Sequence, residues 1–414
     1  MKNIVILTRG YYPDMSPVSA VIDKYIQYLK GRYCFHIIAV PTRLKYEKFN
    51  DPHIKIHYIS SRVYKFRLRF EDRYRRKKSL VNWSLIQIFR LRTAILTFFD
   101  ETCVTRWEEK RAFDCLQDLG NCIKIDTIIS MSGLIVHTHL AAKKYKELHP
   151  SVRWITFLTD PISLKSSSYT IFHSKKRNSR NLSQELGIYE CADYNIFVEN
   201  LYQDAITTFN QPKEKTICFQ YVLDPSYASE RNRENKENGI IKLVYAGSLY
   251  RVIRNPEYML SIISKIEEIH LDMYVRAYEC YDILNKYESD RIVVNKSVST
   301  AKYKEMICNE YDVLLNIGNN CHNQIPSKML EYLSTGRPII NFYTFKDTQY
   351  EMIEKYPLGL NIGVNEMNAV EKVSQFCKTN SGKRLAFHEV EQLFPSNSLQ
   401  SQAAYLETLI NKEI

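Results

Sequence analysis

The chain has 414 residues, of which 45% are hydrophobic and 25% charged, a composition typical of a soluble globular protein with room for two domains of ordinary size. The net charge of +11 favours an acidic partner such as a nucleotide phosphate, an anionic lipid or a nucleic acid. The ten cysteines form no C-x-x-C pair and no Cys/His cluster with zinc spacing, so we expect free thiols in a reducing cytoplasm and no metal site.

Neither a signal peptide nor a membrane-spanning helix is expected. The apolar start of the chain, residues 1–10, is not followed by a small-residue cleavage site and is interpreted as a first buried strand. The most apolar segment, Leu80 to Phe99, carries Arg90 and Arg92 near its middle, where charges oppose membrane insertion.

The first half of the chain alternates short apolar runs with segments of helical periodicity. Strands are predicted at 3–8, 35–40, 54–59, 125–130, 154–158 and 194–198. Helices are predicted at 18–30, 134–147, 183–191 and 199–208. Regular alternation of this kind indicates an α/β domain with a doubly wound parallel sheet.

Residues 60–120 interrupt this alternation with a basic, amphipathic helical segment. Between Arg62 and Lys78, nine basic residues are opposed only by Glu71 and Asp72, and aromatic side chains lie between them. One interpretation is a helical excursion with a solvated basic face. The other is attachment of residues 62–99 to an anionic membrane surface, with aromatic rings in the headgroup layer. No zinc-finger, RNP-type or helix-turn-helix pattern accompanies the segment, so we expect no nucleic-acid partner.

The second half begins after a polar stretch. Residues 229–239 contain no apolar side chain and are interpreted as an exposed linker between domains at 1–228 and 240–398. Alternation then resumes, with strands predicted at 241–246, 271–275, 292–294, 313–317, 338–342 and 358–361. Helices are predicted at 256–268, 300–308, 326–335 and 366–378. A last helix at about 399–411, within residues 399–414, is expected to cross back to the first domain.

The most informative stretch runs from residue 311 to residue 341. Its apolar run predicts a buried strand, Pro326 suits the first turn of a helix because its missing N–H is not needed there, and Gly336 predicts the end of that helix. Lys328 and Glu331 therefore lie in the first turns of a helix beside the carboxyl end of a parallel strand. Ligands bind at this edge of open α/β sheets.

Lys328 and Glu331 are suited to the two ends of a nucleotide. A lysine at a helix N-terminus can bind phosphates, and a carboxylate can accept paired hydrogen bonds from a ribose diol. The alternative for Glu331 is an exposed carboxylate favoured near the positive end of the helix dipole. The predicted donor loop also includes Asn323, Ile325, Pro326 and Ser327.

A second part of the same site is predicted after the first strand of the second domain. Gly247 and Ser248 follow that strand, and a glycine there lets a ligand approach the backbone. The cations Arg251 and Arg254 come next and can neutralise a diphosphate. The alternative is a simple turn with surface arginines.

The first domain offers candidates for the acceptor side. Asp160 comes just past the strand 154–158, where a carboxylate can orient or deprotonate an acceptor hydroxyl; the alternative is a turn-forming Asp-Pro. His137 is as consistent with a structural histidine as with a side chain that faces the site. Ser16 and Pro17 open the first long helix, whose N-terminus is expected to point towards the ligand.

Absent motifs disfavour several chemistries. No Asp-x-Asp occurs, which disfavours a nucleotide-sugar site that holds a divalent metal through paired carboxylates. Walker A, G-x-G-x-x-G and G-x-S-x-G sequences are also absent, so P-loop hydrolysis, ordinary dinucleotide redox chemistry and serine-hydrolase chemistry are disfavoured.

These motifs together resemble a known family. Ala246-Gly247-Ser248-Leu249, Asp312 before its strand, and Pro326-Ser327-Lys328-x-x-Glu331 with Gly336-Arg337-Pro338 are similar to family 4 retaining glycosyltransferases. The resemblance extends over nearly the whole chain and is weakest at 60–120. It implies the GT-B fold, with two Rossmann-like doubly wound domains that face each other across a cleft. It also implies a nucleotide-sugar donor bound by the second domain without metal.

The resemblance assigns roles and also shows departures from the family pattern. Glu331 matches the second glutamate of the E-x7-E motif, which contacts the nucleotide ribose, but Asn323 replaces the first. Arg254 matches a family lysine, and with Lys328 it is expected to stabilise charge on the departing diphosphate. A His-Asp pair near the reacting carbon is reduced to Asp160, since Thr159 replaces the histidine.

The implied function is transfer of a hexosyl group, with retention, to a glycan or lipid-linked glycan acceptor in surface polysaccharide synthesis. No cofactor is expected, and the expected location is cytoplasmic or peripheral at the inner face of the membrane. Two alternatives stay open. One is a nucleotide-sugar epimerase on the related fold, and the other is a catalytically degenerate binding or scaffold subunit.

Overall fold

A computed structural model describes residues 1–13, 15–44, 49–99, 105–132, 136–159, 163, 175–228, 239–276, 279–320 and 328–412. The chain divides into two compact units, one of residues 1–220 with 402–414 and one of residues 221–401. Residues 229–238, which form nearly all of the predicted linker, lie outside the described part of the chain.

The first unit contains a seven-stranded, wholly parallel sheet with the strand order β3-β2-β1-β4-β5-β6-β7. Its strands are β1 Lys2–Leu7, β2 Tyr33–Ala39, β3 Ile54–Tyr58, β4 Thr127–Ser132, β5 Arg153–Leu158, β6 Tyr194–Val198 and β7 Thr216–Phe219. Its helices are α1 Pro17–Leu29, α2 Arg62–Arg76, α3 Leu80–Phe99, α4 Arg106–Cys122, α5 His137–Leu148, α6 Lys175–Cys191 and α7 Glu199–Thr207.

This sheet forms because its strands are apolar on both faces. All six residues of β5 are buried, as are the last four of β1. Strands covered by helices on both sides need such continuous apolar runs. At the amino ends of β4 and β6, Asp126 and Asp193 each accept a backbone N–H of the neighbouring strand, at 2.8 and 2.7 Å. These carboxylates help to fix the register where the strands begin.

Helices α2 and α3 form a hairpin outside the sheet. Phe89 of α3 contacts Phe66 and Phe70 of α2, with ring centroids 6.1 and 6.4 Å apart. The predicted helical excursion is therefore present. No helix in the described ranges is both long and apolar enough to cross a bilayer.

The second unit contains a six-stranded parallel sheet with the order β10-β9-β8-β11-β12-β13. Its strands are β8 Ile241–Ser248, β9 Ile269–Arg276, β10 Ile292–Lys296, β11 Val313–Ile317, β12 Ile339–Tyr343 and β13 Gly359–Gly363. Its helices are α8 Glu257–Ile263, α9 Tyr281–Tyr287, α10 Thr300–Asn309, α11 Lys328–Ser334, α12 Thr348–Lys355, α13 Ala369–Asn380 and α14 Phe387–Leu393.

Alternating residues of β8 point to opposite cores of the second unit. Leu243 and Tyr245 pack in one cluster with α8, α9 and α13, whereas Val244 and Ala246 pack in the other. Helices α10 and α11 contribute to this second cluster. Both helices therefore cover the face of β8 on which Ala246 lies, and the side chain of Lys328 on α11 reaches the Ala246 carbonyl near the carboxyl end of that strand.

The last helix, α15, spans Leu399–Asn411, and its residues from 402 onward belong to the first unit. Glu407 accepts hydrogen bonds from Arg32 at 2.6 Å and from Tyr33 at 2.9 Å. The buried Arg153 donates to the backbone carbonyl of Ile410. The end of the chain thus completes the core of the unit in which the chain begins.

The predicted fold class is confirmed, since each unit is a parallel sheet flanked by helices. The predicted helix at 256–268 is too long: α8 ends at Ile263. Bonds from the N–H groups of Lys265 and Ile266 to carbonyls three residues earlier tighten the chain there and end the helix. Strand β7 and helices α9, α12 and α14 were not predicted.

Candidate functional site

The described site residues of the second unit meet at the carboxyl ends of β8, β9 and β11. Ser248, the last residue of β8, pairs in register with Arg276, the last residue of β9. Asn319 follows β11 by two residues. Parallel strands bring residues from distant parts of the sequence to one edge, and ligands bind at that edge in open α/β sheets.

Lys328 lies at the centre of this edge. Its Nζ donates to the backbone carbonyl of Ala246 at 2.7 Å and lies 4.5 Å from the ring centroid of Tyr303. Burial lowers the pKa of Lys328 from 10.5 to about 8; Glu331 opposes this shift, whereas Arg254 and Arg276 add to it. The ammonium group is therefore partly desolvated, and two further cations act on it electrostatically.

Glu331 follows Lys328 by three residues on α11. The Tyr303 hydroxyl of α10 donates to Glu331 Oε2 at 2.9 Å. Because residues three apart lie on one face of a helix, the carboxylate and the ammonium group face the same side. The buried side chain of Tyr303 thus contacts both Lys328 and Glu331, the two charged residues that the sequence predicts for the donor loop.

Arg254 is held over the end of β8. Its Nε and one terminal nitrogen donate to Asn319 Oδ1 at 2.9 and 2.6 Å, and the other terminal nitrogen donates to the Ser248 carbonyl at 3.3 Å. A Cβ atom on Gly247 would lie 2.9 Å from the Tyr245 hydroxyl oxygen and 3.7 Å from Arg254. Any other residue at this position would therefore force the Tyr245 side chain to shift.

Arg251 takes a different position from that of Arg254. Its guanidinium donates to Asp282 Oδ1 at 2.5 Å and to the Glu279 carbonyl at 3.1 Å, on the surface at the start of α9. The structure thus joins Gly247, Ser248, Arg254, Lys328 and Glu331 in one site, while Arg251 is engaged elsewhere.

Several predicted site residues lie outside the described ranges. These are Asp160, Asn323, Ile325, Pro326 and Ser327. Their roles stay predictions.

The acceptor-side candidates of the first unit have structural partners. Ser16 caps α1: its Oγ accepts the N–H of Ser19 at 3.1 Å, and Pro17 occupies the first turn. His137 is buried at the start of α5, with Nδ1 3.6 Å from Glu109 Oε2. The nearby imidazole of His137 and the ammonium group of Lys144 lower the pKa of Glu109 despite its burial. In this geometry both Ser16 and His137 support the helices on which they lie.

No group of three or more His, Cys, Asp or Glu side chains with metal-binding geometry occurs within the described ranges. The charged side chains that the structure places at this edge include Lys328, Arg254 and Arg276. Three cations at one strand edge can stabilise a diphosphate, and the nearby carboxylate can accept hydrogen bonds from a diol.

The sequence interpretation missed three residues of this site: Arg276, Asn319 and Tyr303. Arg276 and Asn319 had a detectable signal, because each is a polar residue at the end of an apolar strand. Tyr303 had none, since it reads as an ordinary core position of α10 and its hydroxyl partner lies on another helix.

Comparisons with known proteins identify the fold. No family model and no curated protein sequence matches the chain. HepE from Anabaena, in complex with UDP and glucose, is similar in structure at 9% identity and a TM-score of 0.59, over 99% of this chain and 100% of that chain. The lipopolysaccharide outer core galactosyltransferase WaaB has 12% identity and a TM-score of 0.58, over 100% of both chains.

A third similar structure is a UDP-forming α,α-trehalose-phosphate synthase from Burkholderia xenovorans in complex with glucose-6-phosphate. It has 10% identity and a TM-score of 0.61, over 99% of this chain and 100% of that chain. These three are GT-B glycosyltransferases, so the predicted GT-B fold is confirmed. Identities of this size define the fold and leave the activity to be argued from the site.

Proposed function

We propose that this protein is a glycosyltransferase that moves a hexosyl group from a nucleotide sugar to an acceptor hydroxyl, with retention of configuration and without a metal. The observation that carries the proposal is the cluster of Lys328, Arg254 and Arg276 beside Glu331 in a GT-B fold. The UDP bound to HepE supports a nucleoside diphosphate as the first ligand to test.

In the proposed reaction, the bond between the sugar C1 and the diphosphate oxygen breaks as the acceptor oxygen bonds to C1 on the same face. The acceptor proton passes to the departing phosphate oxygen. Lys328 and Arg254 stabilise the negative charge that grows on the diphosphate, and Glu331 binds the ribose.

Asp160 orients the acceptor hydroxyl, with Ser16, Pro17 and His137 as further acceptor-side candidates. Arg251, Asn323, Ile325, Pro326 and Ser327 remain proposed donor contacts.

The proposed acceptor is a glycan or lipid-linked glycan used in surface polysaccharide synthesis, reached at the cytoplasmic face of a membrane. Helix α3 supports this location because Val81, Ile88, Leu91 and Ile95 form an exposed apolar stripe at helical spacing, each at least 50% exposed. Helix α2 lies beside it and carries exposed basic residues. Apolar side chains flanked by cations match an anionic lipid surface.

The donor site is tested by a thermal-shift screen with UDP-, GDP-, ADP- and CMP-sugars in the presence of EDTA. A ligand that binds the native state raises the melting temperature.

Turnover of the stabilising donor is then measured with and without membrane extract as the acceptor source. We expect Glu331→Ala and Arg254→Ala to lose turnover and Lys378→Ala, a surface variant of the same unit, to retain it. Equal turnover in all variants would contradict the assignment of Glu331 and Arg254 to the donor site. Interconversion of the donor sugar without any acceptor would indicate an epimerase.

The membrane surface is tested by flotation with phosphatidylcholine vesicles, with and without phosphatidylglycerol. Leu91→Asp should abolish flotation with the anionic vesicles. Leu148→Asp is the matched control, because Leu148 is 61% exposed on the same unit and Leu91 is 63% exposed. Equal recovery with both vesicle types, or equal loss in both variants, contradicts this location.

A further inference from the structure

We propose that Tyr303 is the positioning residue of the donor site, with its hydroxyl orienting Glu331 for the ribose and its ring supporting the ammonium group of Lys328. This inference rests on the proposed function and extends it to a residue of α10 outside the donor loop. Two contacts made by different parts of one side chain carry it.

The hydroxyl contact fixes the carboxylate. Tyr303 is 8% exposed, and its hydroxyl donates to Glu331 Oε2 at 2.9 Å. A hydrogen bond to an ionised acceptor is strong and directional, so it restricts the rotation of the carboxylate. A carboxylate accepts about four hydrogen bonds, and the Tyr303 bond is therefore compatible with two more from a ribose diol.

The ring contact acts on the lysine. Lys328 Nζ lies 4.5 Å from the ring centroid, within the range of a cation–π interaction. The charged groups around Lys328 are Glu331 on α11, Arg254 after β8 and Arg276 at the end of β9. Because burial and the two arginines disfavour the ammonium form, the ring face acts together with Glu331 and the Ala246 carbonyl in favouring the charged lysine that meets a phosphate.

Two substitutions separate these contacts. Tyr303→Phe keeps the ring beneath Lys328 and removes the hydroxyl from Glu331. Tyr303→Leu removes both contacts and keeps an apolar side chain at position 303. The probes are UDP, GDP and ADP and their 2′-deoxy forms, titrated by calorimetry into the full chain across about pH 7 to 9.

For Tyr303→Phe we expect the preference for ribose over 2′-deoxyribose to fall about tenfold. The pH at which nucleotide binding weakens should be that of the wild type. For Tyr303→Leu we expect the same loss of ribose preference. Nucleotide binding should also begin to weaken at a lower pH than in the wild type, because the ring no longer supports the ammonium group of Lys328. A purely structural role would weaken binding of both nucleotide forms equally and leave the preference unchanged.

Tyr311→Phe is the matched control. Tyr311 is a buried tyrosine of the same unit whose hydroxyl donates to a carboxylate, Asp272 Oδ2, at the same 2.9 Å. It lies before β11, whereas Asn319 of the site lies beyond the other end of that strand. This control should keep the wild-type ribose preference.

The outcomes separate the two proposals. If the wild type binds a nucleoside diphosphate and Tyr303→Phe keeps its ribose preference, the role of Tyr303 is wrong and the proposed function stands. If Tyr311→Phe loses the preference as well, the effect is general to the unit and the role of Tyr303 is also wrong. If the wild type binds none of the three nucleoside diphosphates, the donor site itself is wrong.

Discussion

At the scale of a single residue, the burial of Lys328 and its positive charge oppose each other. In the proposed role it has to lie out of water to act strongly on a phosphate, yet burial favours its neutral form. The pKa of about 8 results from that conflict. Since an anionic diphosphate favours the ammonium form, nucleotide binding should take up protons above that pH.

We therefore expect nucleotide affinity to be constant between about pH 7 and 8 and to fall as the pH rises further, by up to about tenfold per pH unit. Lys328→Arg should bind without this fall, because arginine stays charged. Lys328→Met should bind weakly at all these pH values. Calorimetric titration with UDP across the range measures the profile.

A control distinguishes this effect from alkaline unfolding. The folded-state pKa of Lys328 lies below 10.5, so between about 8 and 10.5 the unfolded chain holds more protons than the folded chain. Lys328 alone thus makes the free protein more stable as the pH rises through that window. A fall in affinity that follows a loss of native circular dichroism would contradict the prediction for Lys328.

At the scale of elements, the site depends on how α10 and α11 are joined. The buried Arg337, just after α11, donates to the Cys308 carbonyl near the end of α10 at 2.6 and 3.2 Å, and also to the Tyr311 carbonyl. Gly336 ends α11 with φ of +70°, and a Cβ there would lie 2.0 Å from the Leu385 carbonyl oxygen. The Gly-Arg-Pro part of the family-like motif therefore has a structural role here.

We expect Arg337→Met to lower the free energy of unfolding of the second unit by about 3 kcal/mol, because it removes charged donors from buried carbonyls. Urea unfolding followed by far-ultraviolet circular dichroism measures this change. Arg251→Met, which removes an exposed ion pair from the same unit, should leave the transition in place. Equal shifts in the two variants would contradict the role of Arg337.

Sequence-based prediction succeeded for features with local signals and failed for contacts between distant elements. The apolar strands and the helix at 328–334 were predictable because their signals are local: hydrophobic runs, Gly336 and Pro338. The contact from Lys328 to the Ala246 carbonyl depends on strand order and on the register of α11 over β8. Periodicity does not encode these quantities, which explains why Tyr303 was missed.

At the scale of the whole molecule, the chain returns to the first unit after completing the second. Leu406, Leu409 and Ile410 of α15 are buried, and Glu407 and Asn411 bond to residues near the start of the chain. The stability of the first unit therefore depends on residues that follow the second unit in sequence. The tryptophans provide a specific probe, because all three, Trp83, Trp107 and Trp154, belong to the first unit.

We expect Leu406→Ala to lower the free energy of unfolding of the first unit by roughly 2 to 5 kcal/mol, since it opens a cavity in a core. The tryptophan-fluorescence transition in urea should move to lower concentration, whereas the native affinity for UDP should not change. Tyr405→Ala is the matched control, because Tyr405 is a neighbour on α15 that is 42% exposed. A fluorescence transition unmoved in Leu406→Ala, or moved equally in both variants, would contradict the assignment of this helix to the first core.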